Sequence, residues 1–319
     1  MEYKFSDRVL TLKPSAIREI FKYAADPSYV SLSAGNPAPE AFPSKQLAAI
    51  SAKLMEEDPI LALQYSTTEG YPPLLQHLKE YMKSSRNIGT EDDGVLVTSG
   101  AQQIMDLFTK SILNEGETVI CEAPSFIGSL NDFRSYKAKL VGIPMDTDGI
   151  VLYAGSFSKV ISPGMRVGYA IGPKPVLAKM TVCKQGQDVH TNIWSQVLCY
   201  RFMTEYDFDA HLAELRKIYT KKRALLLDLM EKHLAPYITW DPFNGGLFAW
   251  CHLPKGVDMM EFVQKALEKK VCVVPGTAFL TDENEPCDAF RINFSTPTDE
   301  QLTKGITLLG ETIREMVEK

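Results

Sequence analysis

Short β-rich runs alternate with helical patterns through the first half of the chain, and this alternation limits the fold more than any other feature. Five predicted strands lie at residues 95–98, 118–121, 139–144, 151–156 and 167–171. After the first of them, Ile104, Leu107 and Phe108 recur at helical spacing. Strands that alternate with helices form a mainly parallel sheet with helices on both faces. The pattern therefore predicts an α/β fold.

The pattern changes after residue 173. Long helices are predicted at 192–203 and 211–233, and short strands at 247–253, 272–274 and 290–294 surround a helix at 259–269. Thr298-Asp299-Glu300-Gln301 reads as a capping box that opens a last helix. We expect an N-terminal arm with part of a small domain in residues 1–45, a large domain in 46–236, and a smaller α+β domain in 237–319.

Charge and cysteine usage narrow the functional class. The 319 residues include 34 Lys and Arg against 40 Asp and Glu, a net charge of -6, which argues against a general nucleic-acid or membrane-surface binder. No apolar run reaches 18 residues and the N-terminus does not resemble a signal peptide, so we expect a cytoplasmic protein. The 6 cysteines and 5 histidines show no metal-ligand spacing, so no metal site is predicted.

The segment Gly155-Ser156-Phe157-Ser158-Lys159-Val160-Ile161-Ser162-Pro163-Gly164-Met165-Arg166 carries the clearest chemical signal. A lysine directly after a buried strand costs free energy unless its ammonium group is used. A phosphorylated aldehyde cofactor suits this arrangement, because Lys159 can form a Schiff base while Ser156, Ser158 and Arg166 hold the phosphate. The alternative is an ordinary strand end with a solvated lysine.

The same letters also spell Ser156-x-x-Lys159, the nucleophile motif of penicillin-binding proteins and class A β-lactamases. Those enzymes need S-D-N and K-T-G elements as well. Neither string occurs in the chain. This reading is therefore excluded.

A second element supports a phosphate site. The strand at 95–98 runs into Ser99-Gly100-Ala101-Gln102-Gln103 and then into a helix. Free N–H groups and the positive end of the helix dipole lie at such a turn, and a glycine lets a phosphate approach closely. The turn is common by itself, but together with the downstream lysine segment it favours phosphate binding.

Seven stretches now form a recognisable set. They are Ser31-Leu32-Ser33-Ala34-Gly35-Asn36-Pro37, Tyr65-Ser66-Thr67-Thr68-Glu69-Gly70-Tyr71, Thr98-Ser99-Gly100-Ala101-Gln102-Gln103, Glu122-Ala123-Pro124-Ser125-Phe126, the lysine segment, Asn244-Gly245-Gly246-Leu247-Phe248 and Arg291-Ile292-Asn293-Phe294-Ser295. In kind and order they resemble the fold-type I pyridoxal-phosphate aminotransferases of class I/II. Within that group the chain is most similar to the 2-aminoadipate, kynurenine and aromatic or branched-chain branch.

The resemblance implies a cofactor, pyridoxal 5′-phosphate, and a role for each matching residue. Lys159 would carry the cofactor and act as the base for the proton shift, and Phe126 would stack on the pyridine ring. Two groups of residues would contact the phosphate. The turn after the strand at 95–98 would contribute Gly100, Ala101 and Gln102, and the lysine segment would contribute Ser156, Ser158 and Arg166. Tyr65 would reach the phosphate of a neighbouring subunit, which implies a homodimer with shared active sites.

The resemblance also implies the substrates, an amino acid and a 2-oxo acid that exchange an amino group in a ping-pong cycle. Arg291 would bind the α-carboxylate through a bidentate contact. Arg18 would recognise a side-chain carboxylate, and Gly35 would let backbone approach the substrate.

The chain departs from the family between Ile150 and Val151. Relatives have about two more β-α units there, on the order of 60–80 residues. That stretch carries an Asn-Pro loop, whose asparagine bonds the ring oxygen of the cofactor, and the aspartate that pairs with the pyridine nitrogen.

Three explanations stay open for this shortening: chain that the sequence does not include, a true deletion, or another subunit that supplies the missing parts. A true deletion predicts a catalytically impaired cofactor-binding or dimerisation protein. A sensor domain of a GntR/MocR-type regulator would fit the same motifs, but that class needs an N-terminal helix-turn-helix module.

Overall fold

A computed structural model describes residues 3–6, 23, 26–143 and 152–318. They form two compact units. The first contains Ala41–Glu122 and Gly128–Leu212, with residues 3–6. The second contains residues 23 and 26–40, Ala123–Ile127 and the chain from Ala213 onward. The chain crosses between the units several times, and the last crossing, from Leu212 to Ala213, lies inside one helix.

The secondary structure follows the alternation predicted from the sequence. The strands are β1 (Val30–Ser31), β2 (Asp93–Thr98), β3 (Thr118–Glu122), β4 (Lys139–Ile143), β5 (Tyr153–Ser156), β6 (Gly168–Pro173), β7 (Thr239–Trp240), β8 (Phe248–His252), β9 (Val271–Cys272), β10 (Val274–Pro275) and β11 (Ala289–Asn293). The α-helices are α1 (Ser44–Glu57), α2 (Pro59–Leu63), α3 (Pro72–Arg86), α4 (Ala101–Ile112), α5 (Ile127–Ser135), α6 (Lys174–Gln185), α7 (Ile193–Glu205), α8 (Phe208–His233), α9 (Met259–Glu268) and α10 (Asp299–Val317).

In the first unit, β6 lies between β2 and β5 and is antiparallel to both. Strands β3 and β4 form a separate parallel pair. The α/β alternation is confirmed, but β6 departs from the mainly parallel sheet that the sequence predicted. The physical reason is the connection between β5 and β6, residues 157–167, which is too short for the crossover helix that a parallel neighbour requires.

Two helices hold this three-stranded sheet. Leu96 of β2 and Ala170 of β6 are buried against Ile104 and Leu107 of α4 and Met180 of α6. Ile104 and Leu107 lie three residues apart, which places both on one helical face. This packing fixes the start of α4 relative to the end of β2.

The second unit contains an antiparallel sheet in the order β10-β11-β8-β7 and a short parallel pair, β1 with β9. Residues of α8, α9 and α10 pack with these strands in one core that includes Leu226, Phe262, Phe290 and Ile306. The predicted capping box is present, because Thr298 accepts from the Gln301 amide and the Gln301 side chain accepts from the Thr298 amide. No helix among the described residues combines the length and apolar character needed to cross a membrane.

Candidate active site

The ends of β2 and β5 lie level with each other at one edge of the sheet. Gly168, the first residue of β6, pairs with Thr98 at the end of β2 and with Ser156 at the end of β5. Neighbouring strands are about 4.8 Å apart, so Thr98 and Ser156 are separated by about 10 Å. The turn that follows Thr98 and the lysine segment that follows Ser156 therefore begin side by side.

The turn after β2 has the features of an anion site. Gly100 has φ +81°, a left-handed conformation that favours glycine, and it precedes the first residue of α4. Gly100 supplies no side-chain cap to this helix, and the first amides of an α-helix have no partner within the helix. The amides of Ala101 and Gln102 can therefore donate to a phosphate, aided by the helix dipole.

Arg166 closes the other side of this turn. It has φ +54° and ends a short 3₁₀ helix, Pro163–Met165. Its Nη1 donates to Pro163 O at 3.2 Å and its Nη2 donates to Ser99 O at 3.2 Å. A Cβ built on Gly100 would collide with Nη2 and lie 2.9 Å from Cζ. A side chain at residue 100 would therefore require the guanidinium group to shift, besides straining a backbone with φ +81°.

The lysine segment forms a tight turn. The amides of Val160, Ile161 and Ser162 donate to Phe157 O at 3.2, 2.8 and 3.1 Å. His211 Nε2 lies 2.6 Å from Val160 O, which requires the proton on Nε2. This turn presents Lys159 with an exposed side chain.

Two hydroxyls precede the lysine. Ser156 Oγ donates to Ser158 Oγ at 2.9 Å and accepts from the Ser158 amide at 3.1 Å. Both serines are only partly buried. The pair therefore presents hydroxyl groups beside Lys159, at the sheet edge where the anion turn also begins.

Gln102 uses its side chain elsewhere. Its Nε2 donates to Gly128 O at 3.1 Å and to Asp132 Oδ2 at 2.5 Å. Burial raises the pKa of Asp132 to about 7, and the negative charge of Asp106 adds to this effect. For a phosphate, Gln102 thus offers its backbone amide.

The sequence analysis missed a polar network behind the anion turn. Asp188 accepts from Ser99 Oγ at 2.8 Å and from Gln103 Nε2 at 3.0 Å, and it pairs with the fully buried Lys184 at 2.7 Å. The spacing of Lys184 and Asp188, i and i+4, is a helical ion-pair signal. That spacing is usual on exposed helix faces, so it did not indicate a buried site.

In the second unit, Arg291 of β11 lies between two aromatic rings. Its Cζ is 3.9 Å from the ring centre of Phe248 and 4.7 Å from that of Phe279. Nη2 donates to Ser33 O at 3.0 Å, while the buried Nε has no hydrogen-bond partner among the described residues. Burial lowers the pKa of Arg291 to about 10. A partly buried cation with an unused donor is suited to a carboxylate.

The other predicted site residues have separate positions. Gly35 packs against Phe248, since a Cβ on Gly35 would lie 2.5 Å from Phe248 Cζ. Phe126 is 61% exposed and Tyr65 is 81% exposed. The Tyr65 ring lies edge-on to the His190 ring, with centroids 5.7 Å apart. Arg18 and the junction between Ile150 and Val151 lie outside the described residues.

Known proteins resemble this chain over its whole length. The sequence profile of the family described as Aminotransferase class I and II matches residues 27–150 and 145–309. Aromatic-amino-acid aminotransferase 1 of Thermococcus litoralis is 27% identical over 400 aligned positions, which include 100% of this chain and 96% of the relative. The 2-aminoadipate transaminase of Thermus thermophilus is 28% identical over 383 positions, 95% of this chain and 94% of the relative.

The solved kynurenine aminotransferase of Pyrococcus horikoshii has the same fold, with a TM-score of 0.93 and 27% identity over 99% of this chain and 98% of that one. The fold-type I architecture is thus confirmed. The 400 positions aligned with the Thermococcus relative exceed the 319 residues of this chain, and the profile match divides near residue 150, where the sequence analysis places the missing units. Profile, relatives and fold together show that the chain belongs to the aminotransferase class I and II family, whose cofactor is pyridoxal phosphate.

Proposed function

We propose that this protein transfers an amino group between an amino acid and a 2-oxo acid in a ping-pong cycle, with pyridoxal phosphate as cofactor. One observation carries the assignment to these residues. Gly168 pairs with both Thr98 and Ser156, so an anion turn and an exposed lysine begin at one edge of one sheet. A phosphorylated aldehyde needs both groups in that relation.

The residues of the first unit fit the phosphate and the aldehyde of this cofactor. The Arg166 guanidinium group lies against Gly100, where a Cβ would meet it, and the turn offers uncapped amides beside that guanidinium group. When bound, the cofactor supplies an aldehyde that takes up the amino group and a ring that withdraws electrons. In relatives, the aspartate that pairs with the ring nitrogen belongs to the stretch that this chain lacks between Ile150 and Val151.

The chain's own residues then have the following roles. Lys159 would hold the cofactor covalently through its Nζ, and the same Nζ, when free, would be the base that takes the proton from the substrate Cα. Ser156, Ser158 and Arg166 hold the phosphate together with the amides of Ala101 and Gln102. Phe126 would stack on the cofactor ring.

Three further residues are assigned to the substrate. Arg291 binds the α-carboxylate, which would use the buried Nε that lacks a partner in the described structure. Gly35 allows close approach of backbone to the substrate, and Arg18 recognises a side-chain carboxylate.

We further propose a homodimer in the cytoplasm, in which Tyr65 reaches the phosphate of the neighbouring subunit. Tyr65 follows Ile60 and Leu63, and these three side chains are 81%, 70% and 71% exposed. Apolar side chains exposed close together are typical of an interface. The six cysteines are free thiols, as expected in a reducing compartment.

The amino donor belongs, in this proposal, to the aromatic, kynurenine or 2-aminoadipate classes. The names of the Thermococcus, Pyrococcus and Thermus relatives support these classes. A panel of such donors with 2-oxoglutarate as acceptor tests them directly, and alanine and aspartate serve as comparison donors.

The activity itself is tested by the visible absorbance of bound cofactor and by amino-group transfer. We expect the wild-type protein to show both and Lys159→Ala to lose both. Lys174→Ala is the control, because Lys174 is an exposed lysine of the same unit that donates to Glu91 O at 3.3 Å. A wild-type protein without cofactor absorbance and without transfer would overturn the proposal.

A further inference from the structure

An ion pair between a fully buried lysine and a partly exposed aspartate lies directly behind the anion turn. The Lys184 side chain of α6 is 0% exposed, and its Nζ lies 2.7 Å from Asp188 Oδ1. Burial of an ammonium group costs several kcal/mol unless a partner and further hydrogen bonds compensate. Such a pair is therefore weak evidence for stability by itself. The further hydrogen bonds of Asp188 indicate its role.

The other oxygen of Asp188 is used by the anion turn. Oδ2 accepts from Ser99 Oγ at 2.8 Å and from Gln103 Nε2 at 3.0 Å. Asp188 thus joins the buried lysine to the two residues that flank Gly100-Ala101-Gln102.

The hydroxyl, the amide and the carbonyl of Ser99 each make a hydrogen bond. Its hydroxyl donates to Asp188, its amide donates to Gln103 Oε1 at 2.7 Å, and its carbonyl accepts from Arg166 Nη2 at 3.2 Å. Because Ser99 directly precedes Gly100, these bonds set the direction in which the chain enters the left-handed residue. The orientation of the phosphate-binding amides follows from that direction.

The backbone after Asp188 is strained. Val189 has φ +61°, a region that β-branched residues rarely adopt, and the His190 amide donates to Asp188 O at 2.6 Å across it. Such a conformation persists only where its surroundings over-determine it. The ion pair with Lys184 and the bonds from Ser99 and Gln103 hold Asp188 in this position.

We propose that Lys184 and Asp188 are positioning residues for the cofactor phosphate, which act through Ser99 on the amides of Ala101 and Gln102. This inference rests on the proposed function, because it concerns the same phosphate site. A purely structural role for the pair would alter stability without affecting the recognition of phosphate.

The test compares pyridoxal 5′-phosphate with pyridoxal, which lacks the phosphate, in binding titrations of the cofactor-free protein. We expect Ser99→Ala to weaken the binding of pyridoxal 5′-phosphate about five- to tenfold while the affinity for pyridoxal changes less than about twofold. Ser99→Thr keeps the hydroxyl and should restore the wild-type ratio of the two affinities. A competition titration with inorganic phosphate gives the same comparison without the ring.

A double-mutant cycle connects this effect to the ion pair. If Ser99 acts through Asp188, Ser99→Ala should cost little further affinity in an Asp188→Asn background. Since Asp188→Asn leaves the buried Lys184 ammonium without its ion-pair partner, Lys184→Met combined with Asp188→Asn provides a second, uncharged background. Lys222→Met controls for the loss of a buried lysine, because Lys222 is 5% exposed and belongs to the second unit.

The outcomes are distinct. If wild-type protein binds pyridoxal 5′-phosphate but the Ser99 and Asp188 variants keep its preference over pyridoxal, the positioning role is wrong and the proposed function stands. Additive losses in the cycle would also overturn the positioning role, because Ser99 would then act independently of Asp188. If the wild-type protein binds no pyridoxal 5′-phosphate, both proposals are wrong.

Discussion

Gly168 lies against the backbone of the anion turn. A Cβ built on Gly168 would come within 2.7 Å of the Gly100 carbonyl carbon and 2.8 Å of the Ala101 nitrogen. Both contacts are to backbone atoms, which cannot move aside as a flexible side chain can. The absence of a side chain at Gly168 is therefore a condition for the position of the turn.

Replacement of Gly168 by alanine should displace the anion turn from β6. We expect Gly168→Ala to lower the affinity for pyridoxal 5′-phosphate about tenfold or more and to reduce the free energy of unfolding by about 1–3 kcal/mol, as overpacking does. Fluorescence titration and urea unfolding measure the two effects. Gly172→Ala on the same strand is the control, because its Cβ would meet the Leu152 side chain at 3.3 Å. Equal loss of cofactor affinity in both variants would contradict this account.

His211 should stabilise the turn that carries Lys159. His211→Phe removes the 2.6 Å contact to Val160 O but keeps an aromatic ring beside Phe202, whose centroid is 5.1 Å away. We expect a loss of about 1–2 kcal/mol and faster amide hydrogen exchange in residues 157–162. His77→Phe changes another partly buried histidine of the same unit and should leave exchange in that segment unaltered. Unchanged exchange in His211→Phe would show that the contact does not hold the turn.

Substitution of Arg291 should affect the substrate and spare the cofactor. Arg291→Lys keeps the charge but loses the planar group between Phe248 and Phe279 and its paired donors. We expect KM for both amino acid and 2-oxo acid to rise about 10- to 100-fold, with pyridoxal 5′-phosphate affinity unchanged. Arg223→Lys is matched to it, because that guanidinium group lies 5.3 Å from the Phe243 ring centre. An unaltered KM in Arg291→Lys would exclude the carboxylate role.

Asp132 should make stability depend on pH near neutrality. Its pKa is about 7 in the folded protein against an ordinary 3.8, so between these values the folded protein holds a proton that the unfolded chain has released. Its contribution to stability is therefore present below about pH 4 and is lost as the pH rises through about 7.

Asp132→Asn should remove this dependence and raise stability at pH 8 by about 1–2 kcal/mol, once solvent screening of a partly buried group is included. Urea unfolding of both proteins between pH 4 and 8 measures the difference. Asp209→Asn serves for comparison, since Asp209 is an exposed carboxylate that accepts from Tyr81 at 2.9 Å. Parallel stability curves for wild type and Asp132→Asn would disprove the prediction.

Short sequence patterns predicted those structural features that depend only on neighbouring residues. The end of β2 at Thr98, the helix that starts at Ala101 and the capping box at Thr298 were all predicted from short patterns. Each depends on backbone and side-chain chemistry within about one turn of helix. The two segments assigned to the phosphate and to Lys159 were located in the same way.

Relations between distant segments were beyond such patterns. The short connection between β5 and β6 accounts for their antiparallel pairing, but no local pattern in the sequence records that β6 also pairs with β2. Arg291 and Phe279 pack together, and no spacing in the sequence indicates it. In the sequence Lys184 resembles a solvated helical lysine. The fold buries it beside Asp188, which in turn accepts from Ser99 and Gln103.

The arrangement of β2, β6 and β5 makes the site depend on hydrogen-bond register. Among the described strands, β2 and β5 are joined through β6, so a slip of β6 by one residue against either neighbour would shift that pairing by about 3.4 Å and reverse the faces of its side chains. The anion turn after Thr98 and the lysine segment after Ser156 would then no longer begin side by side. The distance between the anion turn and the lysine segment is thus a property of strand register, which the sheet holds without a ligand.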